Sequence, residues 1–188
     1  MKLIFFGGCF DPPHLGHYKI IEKYYKQCDK LLVIPTLNSP LKDKCTFTTS
    51  NQILVMLELL IESFGTGVEI DTFDLYRSGP TYTIDTIRYL YKNYKDFEIS
   101  MILGQDQLID IVNWKDYKMI IKLVDVIGLK RPGYVQKKIS GLNISLEKKI
   151  NLNISSKQIR SDIHLNNINN SFLIDSIRGY IIKNNLYK

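Results

Sequence analysis

The chain has 188 residues, 45% hydrophobic and 23% charged, with Lys+Arg at 25 and Asp+Glu at 19 for a formal charge of +6. This is the composition of a globular chain long enough to bury a core unaided; no apolar run reaches the roughly 18 residues of a membrane-spanning helix, and Met1–Phe6 runs into glycines, unlike a signal peptide. Cys9, Cys28 and Cys45 lack CxxC spacing, so neither a disulfide framework nor a zinc knuckle is expected, and the expected setting is cytoplasmic with reduced thiols.

The apolar run 2–6 ends at Gly7-Gly8 and reads as a buried strand with a Gly-rich turn. Leu15, Tyr18, Ile21 and Tyr25 recur at helical spacing, so a helix is expected from His14 to about Gln27, with Pro13 at its first position. Residues 31–34 are a second strand closed by Pro35, and 35–48 are a loop. Ser50 is the expected N-cap of a helix over 51–64, and 68–70 a short strand. After the turn Arg77–Pro80, Thr81 or Thr83 should cap a helix to about Tyr94. A strand over 98–103, a helix around 114–122 and a strand over 124–129 follow. Residues 135–148 are weakly patterned, 149–154 alternate as a strand, Ser155-Ser156 start a helix, and 171–185 form the last one.

Strands alternating with helices imply an α/β fold, a doubly wound, Rossmann-like parallel sheet with helices on both faces. We expect one domain over 1–188, with a mainly helical C-terminal part from about 150. Ligands of such sheets bind beyond the carboxyl ends of the strands, so the segments after strands 1, 2 and 4 are the places to search.

The most informative segment is GGCFDPPHLGH, Gly7 to His17. Two glycines after a strand let backbone approach a ligand, and two imidazoles three residues apart share the first turn of a helix, whose N-terminus favours phosphate. Plainer readings exist: a turn, two surface histidines, or a metal site with too few ligands. The spacing is not the GxGxxG of dinucleotide-binding dehydrogenases.

GGCFDPPHLGH nevertheless resembles the signature of the HxGH nucleotidyltransferase superfamily, and Ile154-Ser155-Ser156-Lys157-Gln158-Ile159-Arg160 resembles its ISSxxIR motif. Three further segments are similar to bacterial nicotinate-nucleotide adenylyltransferases: Gly79–Thr86 (GPTYTIDT), Gly104-Gln105-Asp106 with Trp114, and Arg131-Pro132-Gly133-Tyr134. The tail, Tyr180-Ile181-Ile182 to Leu186-Tyr187, is a weaker match. The resemblance runs from about residue 3 to 187, and it has departures: Cys9 stands where Ser or Thr is usual, and Ser39-Pro40-Leu41-Lys42 has Leu41 in place of the usual His.

The resemblance implies adenylyl transfer from ATP, with Mg²⁺, to nicotinate mononucleotide, giving nicotinate adenine dinucleotide and pyrophosphate. The acceptor phosphate is already anionic, so catalysis is positioning and charge stabilisation at an in-line α-phosphate. It implies that His14, His17 and Arg160 are catalytic. Gly7, Gly8, Cys9, Phe10, Gly104, Asp106, Ile154, Ser155 and Ser156 would bind ATP. Lys42, Tyr82, Thr83, Trp114 and Arg131 would bind the mononucleotide. No resident metal is expected. From the residues alone, Ser155 is equally an ordinary N-cap, Asp106 a helix cap and Trp114 a core residue. Within the superfamily the alternative is pantetheine-phosphate adenylyltransferase; outside it, a non-catalytic nucleotide-binding module. The charge of +6 suits small anionic substrates. Without a basic stripe interleaved with aromatics, neither nucleic acid nor a membrane is the expected partner, and a homo-oligomer is left open.

Overall fold

The apolar runs become strands because both their faces are covered. In a computed structural model that describes residues 1–40, 46–129, 144–147, 154–167 and 171–188, successive residues of the first strand alternate between two hydrophobic clusters. Ile4 and Phe6 face one, Leu3 and Phe5 the other. The strands are β1 (Lys2–Gly8), β2 (Lys30–Pro35), β3 (Val68–Ile70), β4 (Glu98–Gly104), β5 (Asp125–Leu129) and β6 (Ile144–Glu147). They form one sheet in the order β3-β2-β1-β4-β5-β6, with every pair parallel. Chain order reverses between β1 and β4, which puts the ligand crevice beyond their carboxyl ends.

Helices α1 (Leu15–Tyr24), α2 (Ser50–Ile61), α6 (Ser156–His164) and α7 (Asp175–Lys183) bury residues in the cluster that takes Ile4 and Phe6. Helices α3 (Thr83–Asn93) and α5 (Tyr117–Leu123), with α4 (Gln105–Asp110), supply the opposite cluster. Ile159, Ile163, Ile177, Ile181 and Leu186 from the C-terminal part thus share a core with β1 and β2.

The expected doubly wound sheet is present, and several local readings change. Thr49, not Ser50, caps α2: its hydroxyl accepts from Gln52 N while the Gln52 side chain accepts from Thr49 N. Tyr82 holds the cap position of α3 without a side-chain bond, so neither Thr81 nor Thr83 caps it. Thr81 instead hydrogen-bonds Asn38 O through both N–H and hydroxyl. Pro13 lies two residues before α1, whose cap is His14. The sixth strand falls at 144–147, inside the stretch that lacked a pattern. Most of the strand expected at 149–154 lies outside the described residues, and Ile154 is not in a strand. Helix α4 was not anticipated, because its six residues are too few to show a period.

The expectation of three reduced thiols is overturned. Cys9 is disulfide-bonded, while Cys28 is free. Residues distant in sequence can meet in space, so the absence of CxxC spacing did not exclude the bond. Burial raises the Cys28 thiol pKa above its ordinary value.

Candidate active site

Two neighbouring regions hold the residues that the motifs single out. The first is a cavity of about 480 Å³ at the carboxyl ends of β1, β2 and β4. Gly7, Gly8 and Cys9 form one wall, and Tyr82, Thr83, Trp114 and Asp106 stand around it with Thr36, Ser39 and Asp74.

The start of α3 is brought to this cavity by a polar tie. Thr36, which follows β2, donates its hydroxyl to Thr81 Oγ1 at 2.7 Å, and Thr81 N donates to Asn38 O at 2.9 Å. This fixes Tyr82 and Thr83 at the cavity edge, at a helix N-terminus that no side chain caps. Such an end suits a carboxylate or phosphate. Trp114 is half-buried and lines the cavity, so it is not enclosed in the core. Gly104 ends β4; a Cβ there would come within 2.6 Å of Asp106 Oδ1, so the carboxylate lies folded back over this backbone and a side chain here would displace it.

Lys115 is a site residue that the sequence reading missed. It is the basic side chain lining the cavity among the described residues. Its ammonium lies 4.3 Å from the Tyr82 ring centroid and 4.0 Å from Asp85 Oδ2. The available signal was its place directly after the single Trp. Asp74, also in the wall, is buried; it accepts from the Thr86 hydroxyl at 2.7 Å and from Arg77 at 3.4 Å. Desolvation raises its pKa, against the lowering effect of Thr86 and Arg77.

The second region is the loop between β1 and α1 with the start of α6. Here two imidazoles replace the usual hydroxyl and carboxamide of a capping box. His14 Nδ1 accepts from Gly16 N at 3.1 Å, and His17 Nδ1 accepts from His14 N at 3.2 Å. The rings stack with centroids 3.7 Å apart. An Nδ1 that accepts a hydrogen bond carries no proton, so each neutral ring holds its proton on Nε2. Gly16 is required beneath them: a Cβ would lie 2.9 Å from the His14 ring.

The two terminal motifs meet at this loop. Arg160 donates to the backbone carbonyl of Asp11 at 2.5 Å, and the Ser156 hydroxyl to that of Pro12 at 2.9 Å. Ser155 is the N-cap of α6 and accepts from Gln158 N at 3.2 Å, so its plainer reading also holds. Phe10 and Ile154 are buried in the core, and any part they take in ATP binding falls to their backbone. Phe10 has φ of +49°, and its ring packs edge-on against His17 at 4.9 Å. Lys42 and Arg131 lie outside the described residues.

The Cytidylyltransferase-like family model matches residues 5–162. A probable nicotinate-nucleotide adenylyltransferase of Leptospira interrogans is 33% identical over 190 residues, covering 97% of this chain and 94% of its own length. One from Listeria monocytogenes is 34% identical, with 99% and 97% covered. The chain belongs to the nicotinate-nucleotide adenylyltransferases. The fold agrees: the Plasmodium falciparum nicotinic acid mononucleotide adenylyltransferase complexed with NaAD superposes with a TM-score of 0.83 at 21% identity, covering 100% of this chain and 98% of that one. The nicotinate-nucleotide adenylyltransferase reading therefore prevails over the pantetheine-phosphate and non-catalytic alternatives. No helix among the described residues is long and apolar enough to cross a membrane.

Proposed function

We propose that this nicotinate-nucleotide adenylyltransferase joins ATP and nicotinate mononucleotide across the boundary between the two regions. The observation that carries the assignment is the meeting of both motifs at one loop: Arg160 and Ser156 are bonded to the carbonyls of Asp11 and Pro12, in the segment that joins the cavity wall at Gly7–Cys9 to His14 and His17.

The mononucleotide takes the cavity. Its pyridine ring stacks on Trp114, and its carboxylate meets the uncapped start of α3 at Tyr82 and Thr83, with Lys115 adding positive charge. Lys42 and Arg131 keep their assignment to the mononucleotide on the motif match alone. The triphosphate of ATP lies against the His14–His17 turn and the start of α6. Gly7, Gly8 and Cys9 form the floor between the two substrates, and Gly104 and Asp106 face the ribose of ATP.

An oxygen of the mononucleotide phosphate attacks the α-phosphorus in line. One P–O bond forms, the bond to the β-phosphate oxygen breaks, and pyrophosphate leaves with the electron pair. No protein base is required, because the attacking oxygen is already ionised. His17, and His14 beside it, donate Nε2–H to phosphate oxygens as charge builds, and Arg160 and Ser156 meet the pyrophosphate. The described residues hold no group of three or more His, Cys, Asp and Glu placed for a metal. Mg²⁺ would enter as part of the MgATP substrate, and among the described residues the Asp106 carboxylate at the cavity wall is placed to help hold it. When bound, the ion would supply charge neutralisation at the phosphates.

We assign this activity to one domain acting in the cytoplasm on small soluble substrates. The test is to incubate the protein with MgATP and nicotinate mononucleotide and identify the product by mass. Nicotinate adenine dinucleotide with stoichiometric pyrophosphate is expected; its absence overturns the assignment.

A further inference from the structure

Asp11 lies between the glycine turn and the histidines, yet nothing in the transfer step uses its carboxylate. It is wholly buried. A buried carboxylate is costly unless donors surround it, and three surround this one. Thr48 donates its hydroxyl to Oδ1 at 2.6 Å, Tyr187 donates its hydroxyl to the same oxygen at 2.5 Å, and Phe47 N donates to Oδ2. These donors come from the segment before α2 and from the penultimate residue of the chain. On the backbone side, the carbonyl of the same Asp11 receives Arg160.

The C-terminus is shaped to deliver that hydroxyl. Helix α7 ends in a Schellman motif: Asn185 N donates to Ile182 O at 3.2 Å and Leu186 N to Ile181 O at 3.1 Å, with Asn185 at φ of +51°. Leu186 and Ile181 are both buried in the same core cluster, which anchors the turn. Tyr187 then adopts a left-handed backbone, φ +64°, that a residue with a Cβ takes only when its surroundings hold it there. Its phenol is pushed far above the ordinary range by burial and by the Asp11 charge, so it remains a donor.

We propose that Tyr187 is a positioning residue for the ATP phosphates: its hydroxyl, with that of Thr48, fixes Asp11, and Asp11 in turn sets both the histidine turn and Arg160. The inference rests on the assignment of this loop to ATP. It separates Tyr187 from a residue that merely closes the core, because it predicts an effect on one substrate and not the other. Moving Asp11 shifts Arg160, which its carbonyl holds. Neither Asp11 nor Tyr187 lines the cavity given to the mononucleotide.

The test compares wild type, Tyr187→Phe and Thr48→Val by calorimetric titration with a non-hydrolysable α,β-methylene ATP analogue and, separately, with nicotinate mononucleotide. It is run at a temperature where circular dichroism shows each protein folded. Loss of one donor to a buried charge should weaken the analogue about threefold or more and the mononucleotide less than about twofold. A smaller loss for the analogue, or an equal loss for both ligands, overturns the proposal. If Tyr187→Phe does not fold, Thr48→Val, which removes the other donor from the same oxygen, decides it. A wild type that binds the analogue but forms no dinucleotide refutes the reaction, while the analogue titration still judges the role of Tyr187.

Discussion

His14 and His17 cap the same helix turn for each other, His14 through its side chain and His17 by accepting from the His14 backbone. This reciprocal arrangement spends both Nδ1 atoms on the backbone and leaves the ring protons on Nε2. It gives both imidazoles a fixed direction through bonds to their own turn. It also gives His17 a structural duty beside the chemical one proposed for it. His17→Ala is expected to lower kcat by about two orders of magnitude or more, as loss of a group acting on developing charge does. It should also cost about 1 kcal/mol of stability, as loss of a cap does. Steady-state kinetics and thermal melts check both; near-normal kcat would show that His17 does not meet the phosphates.

Gly16→Ala tests the stacking geometry rather than the chemistry. A Cβ at this position would sit 2.9 Å from the His14 ring and 3.9 Å from Ile154 Cβ. The ring must swing out, and the cap is lost. The variant should remain folded with activity reduced about tenfold or more, since small displacements of positioning groups are costly. Activity within twofold of wild type would mean that the stacked arrangement is dispensable.

Trp114→Ala separates the two substrates from the cavity side. Because Trp114 lines the cavity and the phosphate turn does not, the KM for nicotinate mononucleotide should rise about tenfold while the KM for ATP changes little, within the range of one lost aromatic contact. Equal effects on both would indicate that Trp114 acts by packing.

Asp74 supplies a pH signature. Its pKa is raised in the folded state, chiefly by desolvation. The protonated carboxyl therefore favours folding below the unfolded value near 4, and that contribution is lost as pH rises through the raised folded value. Asp74→Asn removes the ionisation. Denaturant melts should show the variant gaining on wild type as pH rises above the unfolded value near 4. A difference that stays constant with pH, or moves the other way, would contradict the burial effect at Asp74.

Much of this was legible in the sequence. Runs such as 3–6 and 31–34 are apolar at every position, as strands covered on both faces are, and the order of elements then pointed to the doubly wound architecture. The motifs pointed to the histidine turn because backbone approach and helix starts demand particular residue types. What was not legible depends on distant pairing. Asp11 reads as a turn residue until Thr48 and Tyr187 arrive, 37 and 176 positions away. Lys115 has no pattern of its own, and the Cys9 bond has no local spacing. Thr49 displaced Ser50 as a cap because Gln52 could complete a box with it, a choice that two adjacent hydroxyl residues leave open.

The measurement closest to the central claim is kcat/KM for MgATP-dependent pyrophosphate release with nicotinate mononucleotide, nicotinamide mononucleotide and phosphopantetheine as acceptors, on one preparation. The uncapped start of α3 at Tyr82 and Thr83, reinforced by Lys115, should favour the acid over the amide by about tenfold or more, with no turnover of phosphopantetheine. Equal rates with acid and amide would contradict the carboxylate site, and a preference for phosphopantetheine would contradict the account as a whole.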